Sequence, residues 1–410
     1  MIKHHDNVKI FMAFSDVMRL KVLEVLQNGE KNATELKELI GVGQSALSYH
    51  MKILVESGIV AVRKLEKWTY YSICENGRDY ASKLLTMLTA KHKIAETEIP
   101  NVIKEKRSVR NMKSFTIVVD TSCDLHPEFI KAHGIETIPI PFSLDGEAHK
   151  MGSWQKISGT EFYNALRNGG KATTSLINPD AYVESFTECA KQGKDALYIV
   201  LSGALSGTYQ SALLALGQVK ETYPDCNIYP IDSISATSVN GLLTMLAVKK
   251  REEGLTAEET AAWLNEKKHS LFGFFTVDDL MYLHRGGRLS KLSAIGGSLL
   301  SVKPILNIQP DGSLALKNKT RGRVSALKML VNQLKRSIHA DTILDTVLIP
   351  HTDCEADALT LAEMVKDAVS VREVIPMMMG PVIGAHVGPG AIAVVFEGDM
   401  TREAYEKKFY

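Results

Sequence analysis

From about residue 115 onward the chain alternates short apolar runs with amphipathic stretches, and this alternation limits the possible folds more than any other feature. Ile117-Val118-Val119, residues 135–140, 196–201, 228–231, 271–277, 305–308, 346–349 and 392–396 are apolar runs of strand length. Between many of them lie segments with helical spacing, such as residues 179–191, 208–223 and 238–253. Strands separated by helices predict an α/β region with a largely parallel sheet covered on both faces. Ligands of such sheets sit beyond the carboxyl ends of the strands.

Residues 1–98 have a different pattern. Val17, Leu20, Val22, Leu23 and Leu26 have the spacing of a helix that stops at Asn28-Gly29. A short helix starting near Thr34 ends at Gly41, and a third runs from Gln44 to Glu56 before Gly58. Residues 59–73 alternate around Glu66-Lys67 as a β-hairpin would, and residues 77–96 predict a further helix. Helix, helix, tight turn, helix, hairpin and helix is the order of a winged helix-turn-helix. Residues 99–113 are polar and basic and read as a linker.

At 410 residues the chain is too long for one hydrophobic core, so several domains are expected. Net charge is +1 overall, but residues 1–113 carry 19 Lys and Arg against 13 Asp and Glu, whereas residues 114–410 carry 29 against 34. The excess of positive charge thus falls on the segment expected to meet nucleic acid. The five cysteines (Cys74, Cys123, Cys189, Cys226 and Cys354) form no CxxC pair, which argues against a disulfide framework or a zinc knuckle and fits a cytoplasmic protein. No signal-peptide pattern is present at the start. The apolar stretch 375–396 is broken by prolines and glycines, so an integral membrane protein is not expected.

Two clusters set hydroxyls close to glycines. Thr173-Thr174-Ser175 follows Gly169-Gly170, and Leu205-Ser206-Gly207-Thr208-Tyr209 lies about thirty residues on. Neither has an acid or metal ligand beside it, a composition suited to holding an anionic head group. Residues 202–208 fall between an expected strand and an expected helix, where backbone N–H groups converge on an anion. Ser206-Gly207-Thr208 lacks the glycine–X–serine–X–glycine elbow of a hydrolase, and there is no phosphate-cradling Gly-Lys-Thr/Ser loop. A binding protein, not an enzyme, is expected, with no cofactor.

On the third helix, Leu47, Met51, Leu54 and Val55 make the expected buried stripe. Gln44, Ser45, Ser48, Tyr49 and Lys52 make the face for base edges and phosphates. Arg63, Lys64, Lys67 and Trp68 occupy the hairpin. Residues 11–98 resemble the ArsR family of winged-helix repressors, through Arg19-Leu20-Lys21-Val22-Leu23, Ala33-Thr34-Glu35-Leu36, residues 45–54 and Gly58-Ile59-Val60. The resemblance implies a homodimer that binds an operator in double-stranded DNA and responds to a ligand. Metal sensing is not expected, because residues 33–39 contain no cysteine, and Asp79, His92 and Glu96 have the wrong spacing for a zinc site.

From Phe115 to the end the chain resembles the DegV family of fatty-acid-binding proteins. The motifs are residues 118–125 (Val-Val-Asp-Thr-Ser-Cys-Asp-Leu), Thr174-Ser175, residues 205–212, residues 282–289 (Tyr-Leu-His-Arg-Gly-Gly-Arg-Leu), Lys303-Pro304-Ile305-Leu306 and His386-Val387-Gly388-Pro389-Gly390. The resemblance implies one long-chain fatty acid held between two α/β subdomains, expected here at 114–275 and 276–410. It places the carboxylate on the hydroxyls of Thr174 and Ser206, with Ser175, Gly207, Thr208 and His386 around it and Arg285 and Arg288 near by. Two roles follow: a lipid-responsive transcriptional regulator, or a carrier presenting acyl chains to a fatty-acid kinase.

Overall fold

The computed structural model describes residues 10, 11, 13, 14, 16–41, 44–65, 68–89, 115–149, 157–289 and 302–410. The chain forms two compact units, residues 1–104 and 105–410. The expected linker, His92 and Glu96 lie outside the described residues.

In the first unit, the helix Val17–Leu26 begins at Asp16, whose carboxylate accepts from the backbone N–H groups of Met18 and Arg19. The helix Ala33–Ile40 starts in an Asn32/Glu35 capping box and ends at Gly41, which takes the left-handed conformation glycine favours. The helix Gln44–Glu56 follows, with Leu47, Met51 and Leu54 buried in one core with Val22, Leu26 and Leu36. Strands β1 (Lys31–Asn32), β2 (Val60–Leu65) and β3 (Trp68–Ile73) form a small antiparallel sheet in the order β1-β3-β2. The helix Glu75–Thr89 completes the described part. The winged helix-turn-helix order is thus present.

The second unit holds thirteen strands among its described residues: β4 (Thr116–Asp120), β5 (Glu136–Ile138), β6 (Phe142–Leu144), β7 (Glu147–His149), β8 (Ala172–Thr174), β9 (Ala196–Val200), β10 (Ile228–Asp232), β11 (Leu271–Thr276), β12 (Val302–Ile308), β13 (Leu314–Arg321), β14 (Ile343–His351), β15 (Ser370–Met378) and β16 (Ile392–Glu397). They make three sheets, β10-β9-β4-β5, β7-β6-β8 and β13-β12-β11-β16-β14-β15. The four-stranded sheet is parallel throughout, as the strand–helix alternation predicts. The six-stranded sheet departs from that expectation, because only its β14–β15 pair is parallel. One physical reason is local: β12 and β13 are joined by a tight turn at residues 309–313 with no crossover helix, which makes an antiparallel hairpin. The boundary expected between residues 275 and 276 falls within a strand. Leu271–Thr276 is a single strand in the middle of the six-stranded sheet.

Side chains alternate across β11 and β16 and give the six-stranded sheet two apolar faces. Phe272, Phe274, Val394 and Phe396 pack with Leu330, Leu361 and Tyr405 from helices covering one side. Phe275, Ala393 and Val395 point the other way, into a core shared with Val239 and Leu243 of the helix Thr237–Glu252 and with Ile117, Val119 and Ile199 of the parallel sheet. That shared core is where the site lies.

Candidate functional site

A cavity of about 320 Å³ opens within the second unit. Its volume falls in the roughly 300–1,000 Å³ range of small-molecule sites. Most of the wall is apolar: Ile140 and Leu201 from the parallel-sheet side, Val239 from the Thr237–Glu252 helix, Phe275, Ile308, Ala393 and Val395 from the six-stranded sheet, and Val382 and Ile383 from the helix Pro381–Val387. Polar groups enter from Thr174, Ser175, Ser206, Thr237, Arg288 and His386.

Each polar group is placed by local structure. Pairing of β8 with β6 sets Phe142 opposite Thr174, and the Ser175 N–H donates to the Pro141 carbonyl at 3.0 Å. The Thr173 hydroxyl bonds Ser143 at 2.8 Å instead, so alternation leaves Thr174 for the cavity. Ser206 stands in the turn between β9 and the helix Thr208–Thr222, with its N–H bonded to the Ser202 carbonyl at 3.1 Å. Its hydroxyl lies 2.8 Å from that of Thr208 and accepts from the Thr208 N–H at 3.3 Å, which places it at the positive end of that helix.

Thr174 Oγ1 and His386 Nε2 are 2.7 Å apart, a hydrogen bond across 212 residues of sequence. The other ring nitrogen, Nδ1, is buried and makes no hydrogen bond among the described residues. It lies against Gly286, where an added Cβ would come within 2.5 Å of it, so only glycine fits there. Burial, reinforced by the nearby Arg288 cation, holds the imidazole down at about 4 and keeps it neutral at neutral pH.

Of the two arginines expected near by, Arg288 lines the cavity. The helix Met281–Arg285 ends in a Gly286-Gly287 turn, with Gly287 in the left-handed region, and this brings Arg288 back to the cavity. Its Nε donates to the Leu205 carbonyl at 3.0 Å and its Nη1 to the Gly286 carbonyl. Among the described residues no acid pairs with it, so a half-buried cation faces the cavity without a counter-charge. Arg285 is exposed, with its guanidinium 4.8 Å from the Tyr282 ring centre, and does not line the cavity. Thr208 does not line it either: it is fully buried behind Ser206 as that residue's hydroxyl partner. Thr174, Ser175, Ser206, Gly207 and His386 all line the cavity.

A second layer holds these groups in place. Asp124, the left-handed residue that closes the turn after β4, accepts from Thr237 Oγ1 and from the Gly380 N–H, both at 2.7 Å. One carboxylate thus ties the β4 motif to a lining residue and to the start of the helix that carries His386. Burial pushes Asp124 up to about 7. Asp120 accepts from the Leu201 N–H at 2.6 Å and fixes the exit of β9 toward Ser206. The acidic residues of the 118–125 motif therefore shape the site without lining it. Periodicity could not reveal that role.

On the first unit, Ser48 and Lys52 are exposed on the Gln44–Glu56 helix, and Lys52 lies 3.8 Å from Glu56 one turn on. Gln44, Ser45 and Tyr49 belong to the same helix; their side chains lie outside the described residues. Lys64 is exposed on β2. Arg63 is engaged by Glu30 through Nε (3.1 Å) and Nη2 (2.6 Å), a bidentate pair that competes with a phosphate contact. Lys67 lies outside the described residues. No helix among the described residues is long and apolar enough to cross a membrane. No cluster of three His, Cys, Asp or Glu among them could hold a metal ion.

An α/β unit enclosing an apolar cavity with a polar, cationic end defines a small-molecule binding protein, carried behind a winged helix-turn-helix. Residues 114–399 match the family described as uncharacterised protein, DegV family, and residues 16–62 match the bacterial regulatory protein, arsR family. The chain belongs to the DegV family and carries an ArsR-type helix-turn-helix ahead of the shared domain. A DegV domain-containing protein of Clostridium perfringens is 38% identical over 288 residues, 70% of this chain and 99% of the relative. Among solved structures, a DegV lipid binding protein from Thermotoga maritima is 28% identical with a TM-score of 0.62, covering 70% of this chain and 99% of that one. A fatty-acid-binding DegV family protein from Thermus thermophilus is 26% identical with a TM-score of 0.63 over 70% of this chain and 99% of its own. A stearic-acid-binding protein from Eubacterium ventriosum is 28% identical with a TM-score of 0.62, covering 72% and 99%.

Proposed function

We propose that the second unit binds one long-chain fatty acid, and that the full chain is a lipid-responsive transcriptional regulator. The observation that carries the binding is the apolar cavity ending at Thr174, Ser206, His386 and Arg288, which no acid pairs among the described residues. The fatty acids bound by solved relatives support it. A tail of about fifteen methylenes at roughly 0.8 kcal/mol each contributes on the order of 12 kcal/mol. Each charge-assisted hydrogen bond adds a net of about 1.5–3 kcal/mol. The tail therefore supplies most of the affinity. The hydroxyls and Arg288 select a carboxylate and offset its desolvation.

The regulatory half of the proposal rests on the fusion. A homodimer reads a two-fold operator through Ser48, Lys52 and their helix neighbours Gln44, Ser45 and Tyr49, with Lys64 and Lys67 on phosphates. Cavity occupancy shifts operator affinity only by as much as the acid distinguishes the DNA-competent state from the other. Operator fragments selected from random DNA by the full chain provide the test. Affinity measured with and without oleate should differ at least fivefold. Equal affinities, with oleate shown to be bound, would refute the switch.

A further inference from the structure

Gly273 occupies the centre of β11, between Phe272 and Phe274, and lines the cavity. A glycine inside a strand gives up packing and backbone entropy, so its presence calls for a reason. Conformation is not the reason here, because Gly273 is absent from the residues with left-handed backbone. Space is. An added Cβ would meet Val239 Cγ2 at 2.8 Å and Ile308 Cδ1 at 3.2 Å, both cavity-lining residues. Two large side chains thus close over the bare backbone of Gly273.

The register shows how deep this closure lies. Thr276 of β11 pairs with Ile392 of β16, and the head-group segments join the sheet at that end. Arg288 follows β11, and the helix carrying His386 precedes β16. Gly273 pairs with Val395, three residues further from that end, or about 10 Å at roughly 3.4 Å per residue. Phe275 and Ala393 form the intervening row of the same face. The Gly273–Val239–Ile308 contact is therefore placed to meet the tail of a ligand, away from its carboxylate.

We propose that this contact is the chain-length gauge of the cavity, with Val239 as its adjustable wall and Gly273 setting how closely Val239 approaches the sheet. The inference rests on the fatty-acid reading and adds the residues that decide which acyl chain fits. Replacing Val239 by alanine removes the group that fills the space above Gly273 and lets the tail run further along β11. Replacing Gly273 by alanine forces Val239 or Ile308 toward the cavity and shortens it.

The test is a binding series of saturated acids, from decanoic to icosanoic, on the delipidated full-length protein, its Val239→Ala variant and its Gly273→Ala variant. In the parent, affinity should rise about fourfold per methylene until the tail meets the contact, then stop rising. Val239→Ala should move that break up by two or more carbons, raising affinity for the longest acids at least fivefold relative to decanoic acid. Gly273→Ala should move it down. Breaks at the same length in the parent and a folded Val239→Ala protein would overturn the gauge, even if Gly273→Ala fails to fold. Absence of binding by the parent at every length would instead overturn the fatty-acid reading beneath it.

Discussion

Thr174→Val is the perturbation that most sharply separates head-group from tail energetics. The change keeps the shape of the side chain and deletes one hydroxyl, the group 2.7 Å from His386 Nε2. A charge-assisted hydrogen bond to a carboxylate contributes a net of about 1.5–3 kcal/mol, so a long-chain acid should bind roughly 10- to 150-fold more weakly. The tail still sees the same apolar wall, so the gain per added methylene should stay near fourfold until the cavity end is reached. Titration calorimetry or displacement of a fluorescent acyl probe, over several chain lengths, should therefore give two parallel lines offset by that factor. The matching primary alcohols are the control. They have no carboxylate, so parent and variant should bind them within about threefold of each other. An offset below threefold for the acids, or an equal loss for acids and alcohols, would refute the placement of Thr174 at the head group.

Other outcomes follow from the same geometry. The folded His386 imidazole titrates at about 4 against an ordinary 6.5, so the unfolded chain binds the extra proton between these values and stability rises with pH across that window. The span of about 2.5 units corresponds to at most about 3 kcal/mol, and His386→Asn should flatten the pH 4–6.5 part of a urea-denaturation profile; an unchanged slope contradicts its burial as a neutral ring. Asp124 acts in the opposite sense. Its folded pKa of about 7 lies above the ordinary 3.8, so the folded state holds the extra proton and stability falls as pH rises between them. Asp124→Asn should remove that fall while loosening the Gly380 and Thr237 contacts, and a parent-like slope would show that the carboxyl titrates normally. Lys64→Ala should weaken operator binding about equally across sequences and lower the salt-dependence slope by about 0.9; a loss confined to one sequence would mean that Lys64 reads bases.

Much of this site was legible before folding, and the gaps have identifiable causes. Glycine punctuation marked the ends of the first-unit helices correctly because Gly41 and Gly58 both take left-handed backbone there. Hydroxyls beside glycines marked Thr174 and Ser206 because few other arrangements present short donors next to exposed backbone. Each strand of the small β7-β6-β8 sheet is only three residues long, too short for a period to show, so the strand that delivers Thr174 was not visible. β13, with the sequence Leu-Ala-Leu-Lys-Asn-Lys-Thr-Arg, is a half-exposed edge strand whose lysines hide its period. That Arg288 lines the cavity and Arg285 does not depends on how the Gly286-Gly287 turn closes, which composition does not encode. Asp124 acts through groups more than a hundred residues away, at Thr237 and Gly380. Such long-range ties lie beyond any local pattern.

The central claim, that one acyl anion occupies the cavity with its carboxylate on Thr174 and Ser206, is tested most directly by native mass spectrometry of the full chain purified from cells. The account predicts one long-chain fatty acid per chain, released by denaturation and retained poorly by a folded Thr174→Val, Ser206→Ala double variant. A parent protein that carries no acyl chain and takes up none from added oleate, or a double variant that retains a full equivalent, would contradict it.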